Sequence, residues 1–154
     1  MKKLVLSLLA AILFLPALVG SAAASVAAAP PAAPAPALFP WVPSGGYPDH
    51  FPYGQCTWWA AYNHPVTWSG DAIYWLRDAK AQGVATSNEP SVGAIAVYRA
   101  GGLYSARGHV AVVTAVSPDS YTVSEMNAPR WGAVTTRTIA WPDIMVQGFI
   151  PRPD

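Results

Sequence analysis

The chain of 154 residues is poor in cysteine and in charge. Cys56 is its only cysteine, and 11% of its residues are charged. A single cysteine cannot form an internal disulfide, so this thiol is either buried, paired between chains or used as a nucleophile. Lys and Arg number nine against eight Asp and Glu. This near balance gives no sign of a nucleic acid or an anionic membrane as a partner.

Motifs for metal binding are also missing. His50 and His64 lie beside prolines in loop-like sequence, and we predict that both are solvated surface residues. No HExxH motif or paired His/Cys spacing indicates zinc, and no cluster of carboxylates indicates a calcium loop. We therefore predict no metal ion and no cofactor. A site made of His109, Glu125 and a third ligand is the remaining metal alternative.

The first 24 residues have the pattern of a cleaved signal peptide. Lys2 and Lys3 precede an apolar run at 4–19, which Pro16 interrupts, and small residues follow up to Ala24. The apolar run is shorter than the ~20 residues that span a bilayer. We predict cleavage near Ala24, an exported protein, and no stable membrane insertion afterwards. An uncleaved membrane anchor is the alternative.

Residues 25–46 are rich in proline and alanine and carry no charge. This composition cannot pack a core and favours an extended polyproline conformation. We interpret the segment as a linker, which is either a spacer or a remnant of processing. Residues 47–153 then suit one compact domain, and we expect it to be a monomer.

Local patterns predict helices first and strands afterwards. One short helix is expected at 54–63, beginning at or just before Cys56, and a second follows Ser69 as N-cap and ends at Gly83. Segments rich in Val, Ile, Thr and Tyr predict strands at 94–98, 109–116, 121–126, 134–138 and 146–150. This order indicates an α+β domain, in which N-terminal helices pack on an antiparallel sheet of five to six strands.

Cys56 is a candidate nucleophile. A thiol becomes a good nucleophile when it loses its proton, and the unpaired N–H groups in the first turn of a helix favour the thiolate. Gly54 lets the chain turn tightly into the helix that begins near Cys56. The alternative is that Cys56 is a small buried apolar side chain.

His109, Glu125 and Asn127 are candidate partners of the thiol. Glu125 and Asn127 are two residues apart and therefore face the same side of a strand. If His109 lies opposite Glu125, the hairpin is centred within the turn signal at 117–120. A slip of one residue without a bulge would place the two side chains on opposite faces. In the predicted register Glu125 or Asn127 orients the imidazole, whose other nitrogen faces Cys56.

Two aromatic residues are candidates for lining a substrate groove. Trp131 lies in the loop that follows Asn127, and Tyr104 lies in the loop at 101–108. Ordinary packing is the alternative for each of these side chains.

Four segments of the chain resemble the CHAP domain, the family of cysteine- and histidine-dependent amidohydrolases and peptidases. They are GQCTW at 54–58, PSVGAIAV at 90–97, GHVAVV at 108–113 and VSEMN at 123–127. The resemblance covers about residues 47–150 and implies a papain-like α+β fold. It also implies that Cys56 is the nucleophile, that His109 is the general base and acid, and that Glu125 and Asn127 orient the imidazole.

These observations predict an exported cysteine hydrolase that cleaves amide bonds of bacterial peptidoglycan. The resemblance supplies the substrate, and two bonds fit it: the amide between lactyl group and first alanine, or a bond within the stem peptide or cross-bridge. The oxyanion would be held by the backbone N–H of Cys56 and the side chain of Gln55. The alternatives are a non-catalytic cell-wall-binding module of the same fold, and a secreted amidase effector that acts on another substrate.

Overall fold

The computed structural model describes residues 41–153. The predicted signal peptide and most of the predicted linker lie outside the described residues. Helix α1 is Cys56–Asn63, and a short 3-10 helix, Ala72–Tyr74, leads into α2, Trp75–Ala81. The strands are β1 Ile95–Tyr98, β2 His109–Ser117, β3 Ser120–Met126, β4 Val134–Ala140 and β5 Val146–Ile150. No helix in this part of the chain is long and apolar enough to cross a bilayer.

The five strands form one antiparallel sheet in the order β4-β3-β2-β1-β5. Helices α1 and α2 both pack on this sheet. The predicted α+β class, with N-terminal helices on an antiparallel sheet, is therefore confirmed, with five strands. Strand β2 lies in the middle of the sheet, so His109 stands at the start of the central strand.

Apolar side chains cover both faces of the sheet, because successive residues of a strand point to opposite sides. The side chains between sheet and helices include Trp75, Ile95, Val97, Val110 and Val112. Those on the other face include Tyr98, Ala111, Val113, Tyr121 and Phe149. The central strands are thus held from both sides, which gives residues at their ends a fixed position.

The segment before α1 is tied to the domain by backbone hydrogen bonds. The N–H of Trp41 donates to the carbonyl of Thr114 at 2.9 Å, and the N–H of Gly45 donates to Asn63 Oδ1 at 2.8 Å. Residues 41–46 therefore pack on the domain, although the sequence assigns them to the linker. The boundary between linker and domain stays a prediction.

The second helix starts later than the sequence predicts. The prediction that Ser69 is its N-cap was wrong, because Asp71 is the N-cap of the 3-10 helix that leads into α2. The hydroxyl of Ser69 instead forms a hydrogen bond with Nε2 of His50 at 3.1 Å. The predicted end is confirmed, since α2 stops just before Gly83.

His64 is buried, so the prediction that it is a solvated residue was wrong. Its side chain lies between two backbone carbonyls, with Nδ1 3.2 Å from the oxygen of Pro65 and Nε2 3.1 Å from that of Pro151. Burial lowers the pKa of this imidazole. The chain that covers it comes from the far end of the sequence, which local composition does not reveal. His50, by contrast, is exposed as predicted.

Strands β2 and β3 pair in a register that changes along the hairpin. Val116 lies opposite Tyr121, whereas Val113 lies opposite Val123, and Thr114 between them is an extra residue on β2. This arrangement is a β-bulge. The side chain of Thr114 also donates to the carbonyl of Thr122 at 3.2 Å. The carbonyl of Thr114, the extra residue of the bulge, accepts the hydrogen bond from the N–H of Trp41.

The predicted pairing of His109 opposite Glu125 was wrong by two residues. Continuing the observed pair Val112 and Ser124 places Ala111 opposite Glu125. His109 and Ala111 share a face, so Glu125 still reaches His109, but diagonally. Without the bulge, the register next to the turn would place the two side chains on opposite faces.

Candidate active site

Cys56 is the first residue of α1 and lies at the end of the sheet, next to the start of β2. Gly54 makes the turn into this helix with a φ of 93°, a conformation that side chains other than glycine rarely adopt. The thiol is partly exposed, and the backbone N–H groups of Thr57 and Val110 approach its sulfur. The predicted helix thus begins at Cys56, and N–H donors at its sulfur favour the thiolate.

The thiol opens onto a cleft of about 690 Å³. The lining comes from four segments: the start of α1, the approach to the 3-10 helix, the loop between β1 and β2, and the end of β3. Five of the residues singled out in the sequence line this cleft: Gln55, Cys56, Tyr104, His109 and Asn127. Residues that are far apart in the chain are thus brought to one concave surface, as a substrate site requires.

His109 and Glu125 form a buried pair behind the thiol. The imidazole donates from Nε2 to Oε2 of Glu125 at 3.0 Å. His109 is 4% exposed and Glu125 is 1% exposed. Because Nε2 is engaged by the carboxylate, Nδ1 is the nitrogen left to interact with the thiol of Cys56. The ring of Tyr104 stacks on the imidazole with centroids 4.8 Å apart.

Arg137 holds the other side of the Glu125 carboxylate. Its Nε donates to Oε1 at 2.9 Å and its Nη2 donates to Oε2 at 3.1 Å. Nη2 also donates to the hydroxyl of Tyr104. Strand β4 places Arg137 opposite Val123, on the same face as Glu125. The result is a continuous polar chain from Cys56 through His109 and Glu125 to Arg137.

Arg137 was not singled out from the sequence, although a signal was present. It is the only arginine or lysine in the five strands. A lone cation in strands of otherwise apolar and hydroxylic residues suggests a buried anion as its partner, since unpaired charge is costly to bury. Glu125 is the only carboxylate in those strands, so the two could have been matched.

The pKa values of this chain favour an ion pair of thiolate and imidazolium. Burial raises the pKa of the Cys56 thiol, but the hydrogen bond and charge of His109 outweigh it, and the pKa is lowered. Burial lowers the pKa of His109, but the contacts to Cys56 and Glu125 outweigh it and raise the pKa to about 9. Burial raises the pKa of Glu125, while His109 and Arg137 together lower it below its usual value.

Asn127 contacts Gln55 rather than the imidazole. Its Nδ2 donates to Oε1 of Gln55 at 3.0 Å. Asn127 has a φ of 62°, an uncommon value for a residue other than glycine, and its N–H donates to the carbonyl of Ala133 at 3.3 Å. Of the two predicted orienting residues, the structure brings Glu125 to His109 and Asn127 to the amide of Gln55. Because Oε1 of Gln55 accepts from Asn127, Nε2 is the group with which Gln55 can donate, and Gln55 lines the same cleft as Cys56.

Trp131 lies outside the lining of the cleft, unlike Tyr104. Its ring packs on the backbone of Gly54, where an added Cβ would come within 2.5 Å of the indole. The N–H of Gly132 donates to the carbonyl of Gly54 at 3.1 Å. Trp131 therefore supports the turn that precedes Cys56. The rest of the residue faces solvent, and Trp131 is 63% exposed.

Residues 41–153 contain no group of three His, Cys, Asp or Glu side chains that is arranged to hold a metal ion. His109 and Glu125, the remaining metal candidates from the sequence, bind each other through Nε2 and Oε2. Both oxygens of Glu125 already accept from Arg137.

Similar proteins are known among bacterial hydrolases. A Streptococcus mutans protein with the provisional name of a hydrolase is 42% identical over 45% of this chain and 32% of its own length. Autolysin SsaALP of Staphylococcus aureus, also provisionally named, is 42% identical over 48% of the chain and 29% of its own length. The chain spans about a third of the length of these relatives.

The fold also has a counterpart among solved structures. The crystal structure of an N-acetylmuramoyl-L-alanine amidase from Staphylococcus aureus is 33% identical, with a TM-score of 0.54 over 60% of this chain and 29% of the amidase. The model of the CHAP domain matches residues 46–127, which hold Cys56, His109, Glu125 and Asn127. This match extends over more than half of the sequence, and the chain therefore belongs to the CHAP domain family.

Proposed function

We propose that the chain is a peptidoglycan hydrolase that cleaves amide bonds with Cys56 as its nucleophile. It would act either as an N-acetylmuramoyl-L-alanine amidase or as a peptidoglycan endopeptidase. The observation that carries this proposal is the polar chain of Cys56, His109, Glu125 and Arg137, which ends with the thiol in an open cleft.

In the first half of the reaction the thiolate of Cys56 attacks the carbonyl carbon of the amide. Imidazolium at His109 then gives the Nδ1 proton to the leaving amine, and a thioester forms on the sulfur. Glu125 holds the ring so that Nδ1 faces the sulfur, and it stabilises the positive charge. Arg137 acts through Glu125, whose carboxylate it fixes and keeps ionised.

In the second half a water molecule hydrolyses the thioester. Neutral His109 accepts a proton from the water through Nδ1 and keeps it as the thiolate leaves, which restores the ion pair, while the carboxylic acid product releases its own proton to solvent. The oxyanion of each tetrahedral intermediate is placed near the backbone N–H of Cys56 and the Nε2 group of Gln55. Asn127 fixes the orientation of this Gln55 amide, so that its donor end is preorganised.

The names of the similar proteins support peptidoglycan as the substrate. One relative is named an autolysin, and the similar crystal structure is that of an N-acetylmuramoyl-L-alanine amidase. Action on the cell wall requires export, which is consistent with the predicted signal peptide. We therefore propose that the protein acts outside the cytoplasmic membrane, either secreted or bound to the wall, with peptidoglycan as its partner.

The test is digestion of purified peptidoglycan, followed by mass spectrometry of the new end groups. Free N-terminal alanine would identify the amidase, and other new amines would identify an endopeptidase. Cys56→Ala should abolish product formation without unfolding the domain, since the change is small and the thiol lies at the surface of the cleft. Retained hydrolysis in this variant would refute the cysteine mechanism. Binding to peptidoglycan with no products from the wild type would indicate a non-catalytic module.

A further inference from the structure

Arg107 stands beside the active site on a rigid support. It belongs to the loop between β1 and β2, and its carbonyl accepts the N–H of Ile73 at 2.8 Å. Its own N–H donates to the hydroxyl of Ser105 at 3.2 Å. At the next residue, Gly108, an added Cβ would come within 2.7 Å of the carbonyl of Tyr98. The backbone at Arg107 and Gly108 is thus held by a hydrogen bond and by close packing, which fixes the base of the Arg107 side chain.

The side chain of Arg107, in contrast, is mostly free. It is 77% exposed, and its Nη1 donates to Oδ1 of Asp71 at 2.9 Å. Nε and Nη2 have no hydrogen-bond partner among residues 41–153. A guanidinium presents its donors in a planar fork that matches a carboxylate, so most of its binding capacity is unused here.

Arg107 and Asp71 form an ion pair within the lining of the cleft. Among the residues that line it, Arg107 is the only arginine or lysine, and Asp71 is the only aspartate or glutamate. The two side chains face each other in the same concave surface that contains Cys56. A ligand carboxylate that enters this cleft would therefore meet Arg107 as the one cationic side chain besides His109, whose imidazolium is already paired with Cys56 and Glu125.

We propose that Arg107 determines substrate specificity by binding a free carboxylate of the peptide that Cys56 cleaves. This inference rests on the proposed function, because it concerns how the same cleft selects among peptidoglycan peptides. Stem peptides carry free carboxylates that some cell walls convert to carboxamides. A carboxamide has the same shape but lacks the negative charge, so the guanidinium would favour the free acid.

Asp71 has a defined part in this recognition. Its carboxylate occupies one arm of the Arg107 fork in the free protein and leaves the other donors to the substrate. It also keeps the guanidinium in the cleft when no substrate is bound. Replacing Asp71 by asparagine removes the competing charge, and the preference for an acidic substrate should then increase.

The experiment uses synthetic muropeptides in which each free carboxyl group is converted to a carboxamide in turn. We expect wild-type kcat/KM to fall about tenfold for amidation at one position, the size expected for a lost charge-assisted hydrogen bond at an exposed site. The loss should be mainly in KM, and it should shrink as salt is raised toward ~1 M, where screening acts over ~3 Å.

Arg107→Gln should remove the difference between the free acid and the carboxamide at that position. Arg107→Lys should retain part of the difference, because it keeps the charge without the fork. The matched control is Arg77→Gln, since Arg77 is also an exposed partner of an aspartate, Asp78, at 2.8 Å but lies outside the cleft lining. This control should keep the wild-type pattern.

The outcomes separate the two proposals. If the wild type cleaves the set but no amidation changes its rate, or if Arg107→Gln keeps the same preference, the role of Arg107 is refuted and the hydrolase proposal stands. If the wild type cleaves none of the muropeptides and no intact peptidoglycan, both proposals fail.

Discussion

Replacing Glu125 by glutamine tests the buried chain at its centre. The change preserves the shape of the side chain but removes the charge that faces His109 on one side and Arg137 on the other. Removing one partner of a buried ion pair costs about 3–5 kcal/mol. Arg137 is 31% exposed and can recruit water, so we expect a loss at or below the lower end of that range, about 2–3 kcal/mol.

The effect of this substitution on catalysis follows from the pKa of His109. Its net rise from 6.5 to about 9 corresponds to roughly 3 kcal/mol, and the contacts with Cys56 and Glu125 together supply more than this, because burial acts against them. Losing a contribution of about half the net rise lowers the rate roughly tenfold. The glutamine amide also presents a donor to Nε2 and favours the wrong tautomer, which we expect to cost at least as much again. The rate should therefore fall by a factor on the order of 10² or more.

The assay compares peptidoglycan hydrolysis and urea unfolding at neutral pH for the wild type and Glu125→Gln. Glu89→Gln is the matched control, since Glu89 is the other glutamate of the chain and is exposed. This control should leave both properties unchanged. A wild-type rate in Glu125→Gln would refute the reasoning, because the carboxylate would then contribute nothing to imidazolium. An unchanged free energy of unfolding would show that the attraction between Glu125 and Arg137 only offsets the free energy of desolvating the two charges.

Two further predictions concern the thiol and the amide of Gln55. Iodoacetamide should label Cys56 with a pKa below that of a free thiol, and activity should rise as pH passes this value and fall again near pH 9, where His109 loses its proton. His109→Ala should raise the thiol pKa; an unreactive thiol in the native protein would contradict an ion pair. Asn127→Ala and Gln55→Ala should each lower the rate about tenfold, with little further loss in the double variant, because Asn127 acts through Gln55. Strict additivity of the two losses, or a far larger loss for Asn127→Ala than for Glu125→Gln, would reverse this assignment.

The sequence predicted the elements well because their signals are local. Glycine and aromatic residues around Cys56 mark the start of α1, and runs of β-branched residues mark the strands within one or two residues of their observed ends. The fold class follows from the order of these elements. The start of α2 was missed because both Ser69 and Asp71 are good N-cap residues, and the contact of Ser69 with His50 lies outside the helix.

The details of the site were harder to predict because they depend on distant pairings. Whether Glu125 faces His109 is decided by the bulge at Thr114, and no residue type nearby marks a bulge. Asn127 and Glu125 share a strand face in an ideal strand, but the positive φ of Asn127 turns it away toward Gln55. Such a departure from strand geometry leaves no trace in the spacing of the two residues.

The polar chain of four ionisable side chains has a consequence for the order of the proposed steps. In the resting ion pair the charges alternate, negative at Cys56, positive at His109, negative at Glu125 and positive at Arg137, and their sum is zero. The sum stays zero when the negative charge moves from the sulfur to the oxyanion. It becomes positive only if the thioester forms while His109 keeps its proton. An uncompensated positive charge is costly at the buried pair of His109 and Glu125, so the site itself favours proton release to the leaving amine. The requirement for zero net charge thus couples formation of the thioester to transfer of the His109 proton to the departing amine.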